Sequence, residues 1–329
     1  MAPTVTDTSG PIPLALLAPL QEHLPHSFSV LRRGQFTHRP GGTSEHAHFL
    51  FATDDKLARQ DEEIGGSPGQ QQAAPKHFAA AYLDLSQHPS TEMFFYSTLQ
   101  DVPQGADATT SSSSSALSPA EVDLVLDLAV AIFQRARDIA SATAADNRHV
   151  LGRPGGTMVG NLHEATYRLL VERRGFTSSY WNPHDVWLFR VDELPVLPAE
   201  LLALETADFA RDGLRWAAVR REDVPLIASR TKIPKVADHL MCEPNVGVRN
   251  REGVLVAWGF MGNAGTLSTL HVEEPYRGKG LAKAVATKVL RQHNFGDDGW
   301  GSADVHIDNV QSQGLCKSIG GKKGLRTSW

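Results

Sequence analysis

Residues 277–280, Arg-Gly-Lys-Gly, have the types and the spacing of a phosphate-binding turn. The run before them favours a strand, and the alanine- and valine-rich run after them favours a helix. A glycine turn at a helix N-terminus points backbone N–H groups outward, with the helix dipole behind them. Arg277 and Lys279 supply positive charge, while Gly278 and Gly280 allow the backbone to approach a ligand closely. The sequence therefore predicts a site for a phosphorylated ligand here.

Several groups that can accept or donate a proton flank this turn in the sequence. Neither Thr266 nor Ser268 is a competent base alone, but each hydroxyl could hold a water that relays a proton. Period-2 alternation predicts that Thr266 and Ser268 share one strand face, with His271 and Glu273 on the other, unless a bulge intervenes. The remaining candidates nearby are Asp304, His306 and Cys316.

The composition of the 329 residues is that of an ordinary globular protein, with 41% hydrophobic and 21% charged residues. A formal net charge of -5 gives no reason to expect nucleic-acid binding. No run reaches the roughly 20 apolar residues of a membrane span. The two cysteines suit a reducing compartment, so we expect a cytoplasmic protein. No metal-site spacing and no Walker-type phosphate loop occurs, so we expect no metal.

The first part of the chain is predicted to begin with an antiparallel meander. Residues 26–36, 46–53, 77–85 and 91–99 are short runs rich in aromatic or β-branched residues, which favour strands. Ser118-Pro-Ala-Glu121 is a capping box and predicts the start of an amphipathic helix. A second helix is predicted over 161–174 and a strand over 186–191. We place a domain boundary near residue 210, which gives domains 1–210 and 211–329.

The second part is predicted to alternate strands and helices in a definite order. Over the last ~115 residues the order is strand, two helices, three strands, helix, strand, helix and strand. Residues 245–249 and 254–261 form two of these strands, joined by a hairpin-like turn over 250–253. The glycine turn at 277–280 then lies between a strand and the longest helix of this part.

This order, with Arg277-x-x-Gly280-x-Ala282 between strand and helix, resembles the GNAT superfamily of acyl-CoA-dependent N-acyltransferases. Leu270-His-Val272 lies at the family's spacing upstream of the motif. Downstream, Asn309-x-x-Ser312-x-x-Leu315 followed by Ile319-Gly320 resembles the second conserved block. The resemblance implies an α/β (α+β) fold, with a mixed, mostly antiparallel sheet flanked by helices.

The resemblance also implies acetyl-CoA, or another acyl-CoA, as co-substrate. The splayed strand would bind the pantetheine arm, and a backbone N–H near Leu270 to Val272 would stabilise the oxyanion. Lys283, Lys288 and Arg291 could reach a ribose phosphate or form an exposed helix face. The implied coenzyme-binding residues are Leu270, His271, Val272, Arg277, Gly278, Lys279, Gly280, Leu281, Ala282, Asn309 and Ser312.

The sequence departs from the family pattern at the acid–base positions. Thr266 stands where a glutamate base is frequent, and Ser268 stands where some members have a histidine. Cys316 occupies the place of the tyrosine that protonates the leaving thiolate. Our catalytic candidates are therefore Ser268, His306 and Cys316, with His271 as an alternative base. The base could equally come from the N-terminal half.

The hairpin and Val272-Glu-Glu-Pro-Tyr-Arg277 look most like the branch that contains glycine N-acyltransferase. In that branch the preceding half is a degenerate copy of the fold, here expected to form a wall of the substrate cleft. The resemblance implies transfer to a small amine or amino acid by direct attack in a ternary complex. A non-catalytic acyl-CoA-binding or partner-binding module, or a protein acetyltransferase, remains an alternative. The sequence leaves the acceptor, the acyl length and the oligomeric state open.

Overall fold

The computed structural model describes most of the chain, and the described residues fall into two compact units. The first unit comprises Met1–Asn182 and Thr327–Trp329, and the second comprises Pro183–Arg326. The boundary that we predicted near residue 210 lies outside the described residues. These are residues 3–54, 75–87, 90–101, 117–146, 157–202 and 213–329.

A five-stranded sheet forms the centre of the first unit, in the order β1-β2-β3-β4-β5. Its pairs are antiparallel except for β4 and β5, which run parallel. Two helices precede β2 and two more follow β4 in the described residues. The strands are β1 Thr4–Ser9, β2 Ala47–Thr53, β3 Phe78–Asp84, β4 Met93–Ser97, β5 Val159–Gly160 and β6 Leu162–His163. The helices are α1 Leu14–Glu22, α2 Phe28–Phe36, α3 Pro119–Asp146 and α4 Glu164–Arg174.

Helix α3 begins where the predicted capping box places it. The Glu121 N–H donates to Ser118 Oγ at 3.3 Å, and the Ser118 N–H donates to a Glu121 carboxylate oxygen at 2.8 Å. Side chains thus take up N–H groups that the first helical turn cannot satisfy internally. The buried face of α3, with Val125, Leu128 and Ile132, packs against the sheet.

Residues 28–36 form helix α2, so the strand that we predicted over 26–36 is wrong. The aromatic residues at the two ends of this run favoured a strand. The interior is held as a helix by tertiary contacts, because Arg33 is buried within 3.7 Å of Asp84 and its guanidinium lies 4.1 Å from the Tyr82 ring. This ion pair spans about 50 residues, and no local pattern reports it.

The second unit has the predicted order of elements from its β8 strand onward. It contains two strand groups, β11-β10-β9-β8 and β12-β7-β13. The last residues of β13, Thr327 and Ser328, belong to the first unit and pair there with β6. The strands are β7 Pro183–Arg190, β8 Arg215–Ala217, β9 Asn245–Arg249, β10 Leu255–Met261, β11 Leu267–Val272, β12 Trp300–His306 and β13 Lys322–Ser328. The helices are α5 Ala199–Leu202, α6 Val224–Ser229, α7 Ala237–Cys242, α8 Leu281–His293 and α9 Val310–Ser318.

Two apolar clusters lie on opposite faces of the β8–β11 sheet. Helix α8 packs through Val285 and Val289 into the larger cluster, which also holds Val272. On the other face Trp258 and Phe260 pack with residues of α6 and α7. The sheet is thus covered on both sides, and β11 forms its edge. None of the helices in the described ranges is long and apolar enough to cross a membrane.

Candidate functional site

A turn with two left-handed glycines joins β11 to α8. Gly278 has φ 75° and Gly280, the N-cap residue of α8, has φ 80°. Successive N–H groups in such a turn converge on one side, where the first N–H groups of the helix also lack internal acceptors. This is the local geometry of an anion site.

The space beside the turn is consistent with a ligand. A Cβ added at Gly278 would meet no heavy atom within 4 Å, and one at Gly280 would meet only Leu201 Cδ1, at 4.0 Å. A side chain there would be strained by the positive φ, and it would occupy the surface onto which the N–H groups open. The residues present therefore fit a bound pyrophosphate.

A β-bulge interrupts β11 just before this turn. Phe260 pairs with Ser268 and Trp258 pairs with His271, so Gly259 faces the two residues Thr269 and Leu270. Thr269 has φ 53°, which is rare for a β-branched residue. A bulge inserts one residue and resets the alternation of side chains.

Because of the bulge, His271 lies on the same sheet face as Ser268. Their cross-strand partners, Trp258 and Phe260, belong to one apolar cluster, whereas Leu270 lies beside Gly259, Val285 and Val289 on the opposite face. The unbroken alternation, which separated Ser268 from His271, is therefore wrong. Ser268 and Thr266 do share a face, since each hydroxyl oxygen lies 3.4 Å from a Cβ built at Gly262.

Strands β11 and β12 run side by side but diverge. In the described residues one parallel bridge joins them, between Thr266 and Ser302, and they belong to different strand groups. The Glu273 N–H donates to Val256 O on β10 at 2.9 Å. Alternation along the strand then points the N–H group of Val272 away from β10, into the opening between β11 and β12.

Polar side chains line one face of this opening. Ser302 sits beside Thr266 and shares its face, which Asp304 and His306 continue along β12. The hydroxyl oxygens of Ser268, Thr269 and Ser302 are buried and make no hydrogen bond within the described residues. Buried polar atoms ordinarily find a partner, so these three hydroxyls are suited to a ligand with polar atoms of its own.

Comparisons with known proteins match both units. Residues 3–193 match the family model of the acyl-CoA N-acyltransferase verG N-terminal domain, and residues 245–329 match the FR47-like protein model. The first match alone covers more than half of the chain. The chain belongs to the GNAT superfamily of acyl-CoA N-acyltransferases.

Solved structures match the chain over most of its length. A Drosophila protein of 14% identity matches with a TM-score of 0.55 and covers 95% of this chain and 93% of its own. A GCN5-related N-acetyltransferase from Sphaerobacter thermophilus, 14% identical, has a TM-score of 0.43, with coverages of 98% and 94%. One from Kribbella flavida, 16% identical, has a TM-score of 0.41, with coverages of 76% and 84%. No curated protein matches the chain. The match of residues 3–193 to an acyl-CoA N-acyltransferase domain confirms the predicted GNAT-like character of the first half.

The basic residues around this GNAT turn have different partners. Arg277 Nε donates to Val272 O at 2.9 Å and so ties the turn to the end of β11. The Lys279 ammonium lies 5.8 Å from the Tyr276 ring, and that of Lys288 lies 5.1 Å from the Trp216 ring. Arg291 donates to Leu194 O at 2.5 Å. Lys283, the third residue predicted to reach a ribose phosphate, is exposed.

His271 has the surroundings of a base. Its ring stacks on Trp258 with centroids 4.7 Å apart, and Nε2 lies 3.8 Å from a Glu273 oxygen. Arg230 Nε in turn donates to Glu273 at 2.8 Å. Burial lowers the pKa of His271 below its ordinary value, and the nearby Glu273 opposes that shift without overcoming it. The ring is therefore neutral at pH 7 and able to accept a proton.

His306 lies at the open end of β12. Its Nδ1 accepts from the Asp308 N–H at 3.1 Å, and its half-exposed ring meets His184 edge-on at 5.3 Å. Because Nδ1 is an acceptor, the neutral ring carries its proton on Nε2. Only loss of the Asp308 bond would free Nδ1 to take a proton. His306 remains a prediction as a base, with less support than His271.

Cys316 lies in the core of the second unit and is 2% exposed. Burial raises the pKa of its thiol to about 12, and Asp304 adds to the effect. A proton passing from such a thiol to a thiolate with a pKa near 8.5 moves uphill by roughly 5 kcal/mol. The proposed acid role of Cys316 stays a prediction, and its environment works against that role.

Asn309 and Ser312 open helix α9. Asn309 Oδ1 accepts from the Ser312 N–H at 3.1 Å, which is an N-cap hydrogen bond. Of the two roles considered for this pair, the cap is the one that the structure shows. The residues that sequence reasoning missed are Thr269, Ser302 and Arg230. The β-branched Thr269 offered no sign of a positive φ, and Ser302 and Arg230 gain their positions through partners distant in sequence.

Proposed function

We propose that this chain transfers an acetyl group from acetyl-CoA to the amine of a small molecule or amino acid. The observation that carries the proposal is the polar-lined opening between β11 and β12, which leads to the left-handed glycine turn at 278–280. We also propose that the protein is cytoplasmic and uses no metal. The sequence has two cysteines, which suits a reducing compartment. Acyl-CoA is a substrate here and supplies the thioester.

The glycine turn would hold the coenzyme by its pyrophosphate. The backbone N–H groups of residues 278–282 and the N-terminal end of the α8 dipole supply donors and partial positive charge. Lys279 and Lys283 are exposed next to the turn and add full charges. Arg277 acts indirectly, since its bond to Val272 O holds the turn against β11.

The opening between the strands would hold the thioester. The N–H group of Val272 points into it, so it is placed to donate to a carbonyl oxygen that becomes negative as the amine attacks. Ser268 and Thr269 offer hydroxyls without other partners. These groups lie on a regular strand and its bulge, which fixes their directions before substrate binds.

The attacking amine must first lose a proton, because an alkylamine has a pKa near 10 and is mostly ammonium at pH 7. We assign the acceptor role to His271, which shares the face of Ser268 and is held by Trp258 and Glu273. The proton moves from the ammonium to His271, directly or through a water on Ser268. The amine nitrogen then bonds the acyl carbon and the carbon–sulfur bond breaks. The extra proton that the nitrogen still carries passes to the departing thiolate, so coenzyme A leaves as the thiol.

A panel assay of thiol release from acetyl-CoA tests this function. Purified full-length chain is mixed with acetyl-CoA and each of a set of small amines, amino acids and lysine-containing peptides. We expect release that depends on a small amine or amino acid and gives the matching amide by mass spectrometry. Release with peptides alone would replace the proposal by a protein acetyltransferase. No amide with any acceptor, despite measurable acetyl-CoA binding, would favour the non-catalytic module.

The non-catalytic module is kept as a second candidate because of one observation. Thr266 and Ser268 replace the acid–base residues that are frequent in the family, and the buried Cys316 replaces the tyrosine. A chain that binds acyl-CoA without turnover would retain the glycine turn and lose nothing by these replacements. His271 separates the two candidates, since only the enzyme requires its ring.

A further inference from the structure

A chain of charged contacts connects the end of α6 with His271, the proposed base. Arg230 directly follows α6, and Glu273 directly follows β11, in which His271 lies. Arg230 Nε donates to Glu273 Oε1 at 2.8 Å, and Nη2 donates to Oε2 at 3.3 Å. The same Oε1 lies 3.8 Å from His271 Nε2. Two segments 43 residues apart in sequence thus meet beside the ring.

The two ring nitrogens of His271 have different surroundings. Nε2 is buried and has no hydrogen-bond partner within the described residues. The side chain is 20% exposed, so its accessible surface belongs to other atoms. Among the described residues Nδ1 has no hydrogen-bond partner either, and it does not share the burial of Nε2. A substrate that approaches the ring therefore meets Nδ1 and not Nε2.

The position of Glu273 decides which nitrogen of the neutral ring carries the proton. Nδ1 can accept a proton only while the ring holds its own proton on Nε2. An ionised carboxylate only accepts, so Glu273, on the Nε2 side, favours a proton on Nε2. The distance of 3.8 Å exceeds a hydrogen bond, and contacts of a catalytic base are often long before substrate binds. Once Nδ1 has taken a proton, Glu273 faces a positively charged ring and stabilises it, like the aspartate of a catalytic triad.

Arg230 and Trp258 fix the two members of this pair. Both oxygens of Glu273 accept from Arg230, which holds the plane of the carboxylate and favours its charged form. With both oxygens engaged, Glu273 is a poor acceptor for the proton of the amine. The Trp258 ring stacks on the His271 ring at an interplanar angle of 26° and holds the plane of the imidazole.

The charges that face the His271 ring come from three segments. Glu273 follows its own strand, Arg230 follows α6, and Arg277 belongs to the glycine turn, whereas Trp258 on β10 is uncharged. Burial lowers the pKa of His271, Glu273 raises it, and Arg277 and Arg230 lower it. Of these charged groups, Glu273 alone favours the protonated ring. Its removal should therefore make His271 a weaker base.

We infer that Glu273 and Arg230 are positioning residues: Glu273 keeps the His271 proton on Nε2, so that Nδ1 is the accepting atom, and Arg230 fixes Glu273. The inference rests on the proposed function, in which His271 takes the proton of the amine. In that step an N–H bond of the ammonium breaks and an Nδ1–H bond forms, directly or through the water on Ser268. The amine keeps the electron pair for its attack, and the ring later returns the proton to water.

Nuclear magnetic resonance of ¹⁵N-labelled histidine rings tests the inference in the full chain without turnover. The His271 signals are those that His271→Gln lacks. At about pH 8, above the ordinary titration range of histidine, we expect a proton on Nε2 and none on Nδ1. A wild-type ring with its proton on Nδ1 would overturn the inference, and this measurement does not depend on the folding of a charge variant.

Titration of the same signals tests the part of Glu273. Glu273→Gln should lower the pKa of His271 by at least about half a unit, because it removes the negative charge next to Nε2. Glu274→Gln is the matched control, since it removes the same charge one residue further on, from an exposed side chain. It should leave the His271 pKa unchanged. Equal shifts in the two variants, or none in Glu273→Gln, would contradict the inference.

The acyl-transfer assay then tests positioning in catalysis. Glu273→Gln should lower kcat about tenfold and move the fall in rate at low pH to still lower pH, with acetyl-CoA affinity unchanged. Arg230→Gln should lower kcat by less. The double variant should be no slower than Glu273→Gln, because Arg230 acts through Glu273.

The outcomes separate the inference from the proposed function. If the wild type forms an amide and Glu273→Gln keeps the rate and pH profile, the inference is wrong and the proposed function stands. If Glu273→Gln abolishes the fall in rate at low pH, Glu273 is itself the base, which also contradicts the inference. If the wild type forms no amide with any acceptor, the proposed function fails and the catalytic part of the inference fails with it.

Discussion

The two units begin a central helix in opposite ways: α3 follows β4 in the first unit, and α8 follows β11 in the second. In the first unit Ser118 and Glu121 close the N-terminus of α3 with their own side chains, and Lys76 adds a charge at 2.7 Å from Glu121. In the second unit Gly280 caps α8 and brings no side chain at all. One helix end is therefore satisfied internally, and the other leaves its N–H groups for a ligand. We propose that this end of α8 serves binding, whereas the N-terminus of α3 serves stability.

The two units also differ between the strand that precedes this helix and its neighbour: β4 and β5 in the first unit, β11 and β12 in the second. In the first unit β4 and β5 pair at only two positions, and a Cβ at Gly160 would come within 2.6 Å of both Thr91 Cγ2 and the Trp329 ring. The ring of Trp329 also meets Phe94 edge-on, at 6.0 Å. In the second unit the opening between β11 and β12 is lined by hydroxyls without partners. An aromatic ring thus packs against β4 and β5 in the first unit, whereas we propose that the opening in the second unit accepts a substrate.

Gly280→Asp should have the largest effect of the substitutions proposed, because it changes the helix end that is open to a ligand. The new carboxylate would lie where the pyrophosphate is proposed to sit, and the residue would have to adopt a positive φ. We expect acetyl-CoA affinity, measured by calorimetry, to fall at least 100-fold. This agrees with the loss of two charge-assisted hydrogen bonds at about 1.5 kcal/mol each.

Gly253→Asp is the matched control for that change. Gly253 also has a positive φ, of 80°, and space for a Cβ, but it lies in the turn between β9 and β10. The control should show the same conformational strain and bind acetyl-CoA like the wild type. Similar losses of affinity in both variants would mean that strain, and not the anion site, explains the result.

His271→Gln should remove the proton acceptor while leaving the coenzyme site intact. We expect kcat to fall about 100-fold, within the range of a lost general base, with acetyl-CoA affinity unchanged. Because burial lowers the pKa of His271, the wild-type rate should stay level above about pH 6.5 and fall on the acid side as the ring takes a proton. The fall in rate at low pH, which is the acid limb of the pH profile, should be absent in His271→Gln.

His306→Gln is the comparison for the base assignment. It changes a half-exposed ring at the end of β12, and we expect less than a threefold change in kcat with the same acid limb as the wild type. If His306→Gln loses the limb and His271→Gln keeps it, the base is His306. If both keep it, the base lies elsewhere in the chain.

Ser118→Ala should act on stability alone. Loss of an N-cap serine costs about 1 kcal/mol, which denaturant unfolding monitored by circular dichroism can resolve. Acetyl-CoA affinity should not change, because the α3 end is closed by its own side chains. A marked loss of acetyl-CoA affinity in this variant would show that the first unit also takes part in coenzyme binding.

Cys316→Ala should have the smallest effect on catalysis. Its thiol is buried and its pKa is about 12, so it is a poor donor to the leaving thiolate. We expect kcat within threefold of the wild type across the pH range and a modest loss of stability from the small cavity. A drop of kcat by 100-fold in a variant that folds normally would restore Cys316 as the acid.

Features that depend on a few neighbouring residues could be predicted from the sequence. The capping box at Ser118, the hairpin before Val254 and the glycine turn at 278–280 each depend on a few neighbouring residues, and each lies where it was predicted. The order of the ten strands and helices after residue 213 could be predicted from the periodicity of the hydrophobic residues and from the turn residues between them. This was enough for the fold and for the conformation of the glycine turn, whose role in coenzyme binding is a proposal.

The acid–base side of the site depends on contacts that no local pattern reports. The bulge at Thr269 arises from the register between β10 and β11, and it moves His271 to the face of Ser268. The burial of Cys316 depends on packing in the core. The hydrogen bonds of Asp101 with His23 and His26 join residues 75 or more positions apart. Such features need the tertiary structure.

Calorimetry of the wild-type chain with coenzyme A and with pantetheine tests the central claim most directly. Pantetheine keeps the arm and the thiol but lacks the pyrophosphate that the glycine turn is proposed to hold. We expect coenzyme A to bind at one site per chain and pantetheine to bind at least 100-fold more weakly, about 2.7 kcal/mol. Equal affinities, or no binding of coenzyme A, would contradict the assignment of residues 278–280 as the pyrophosphate site.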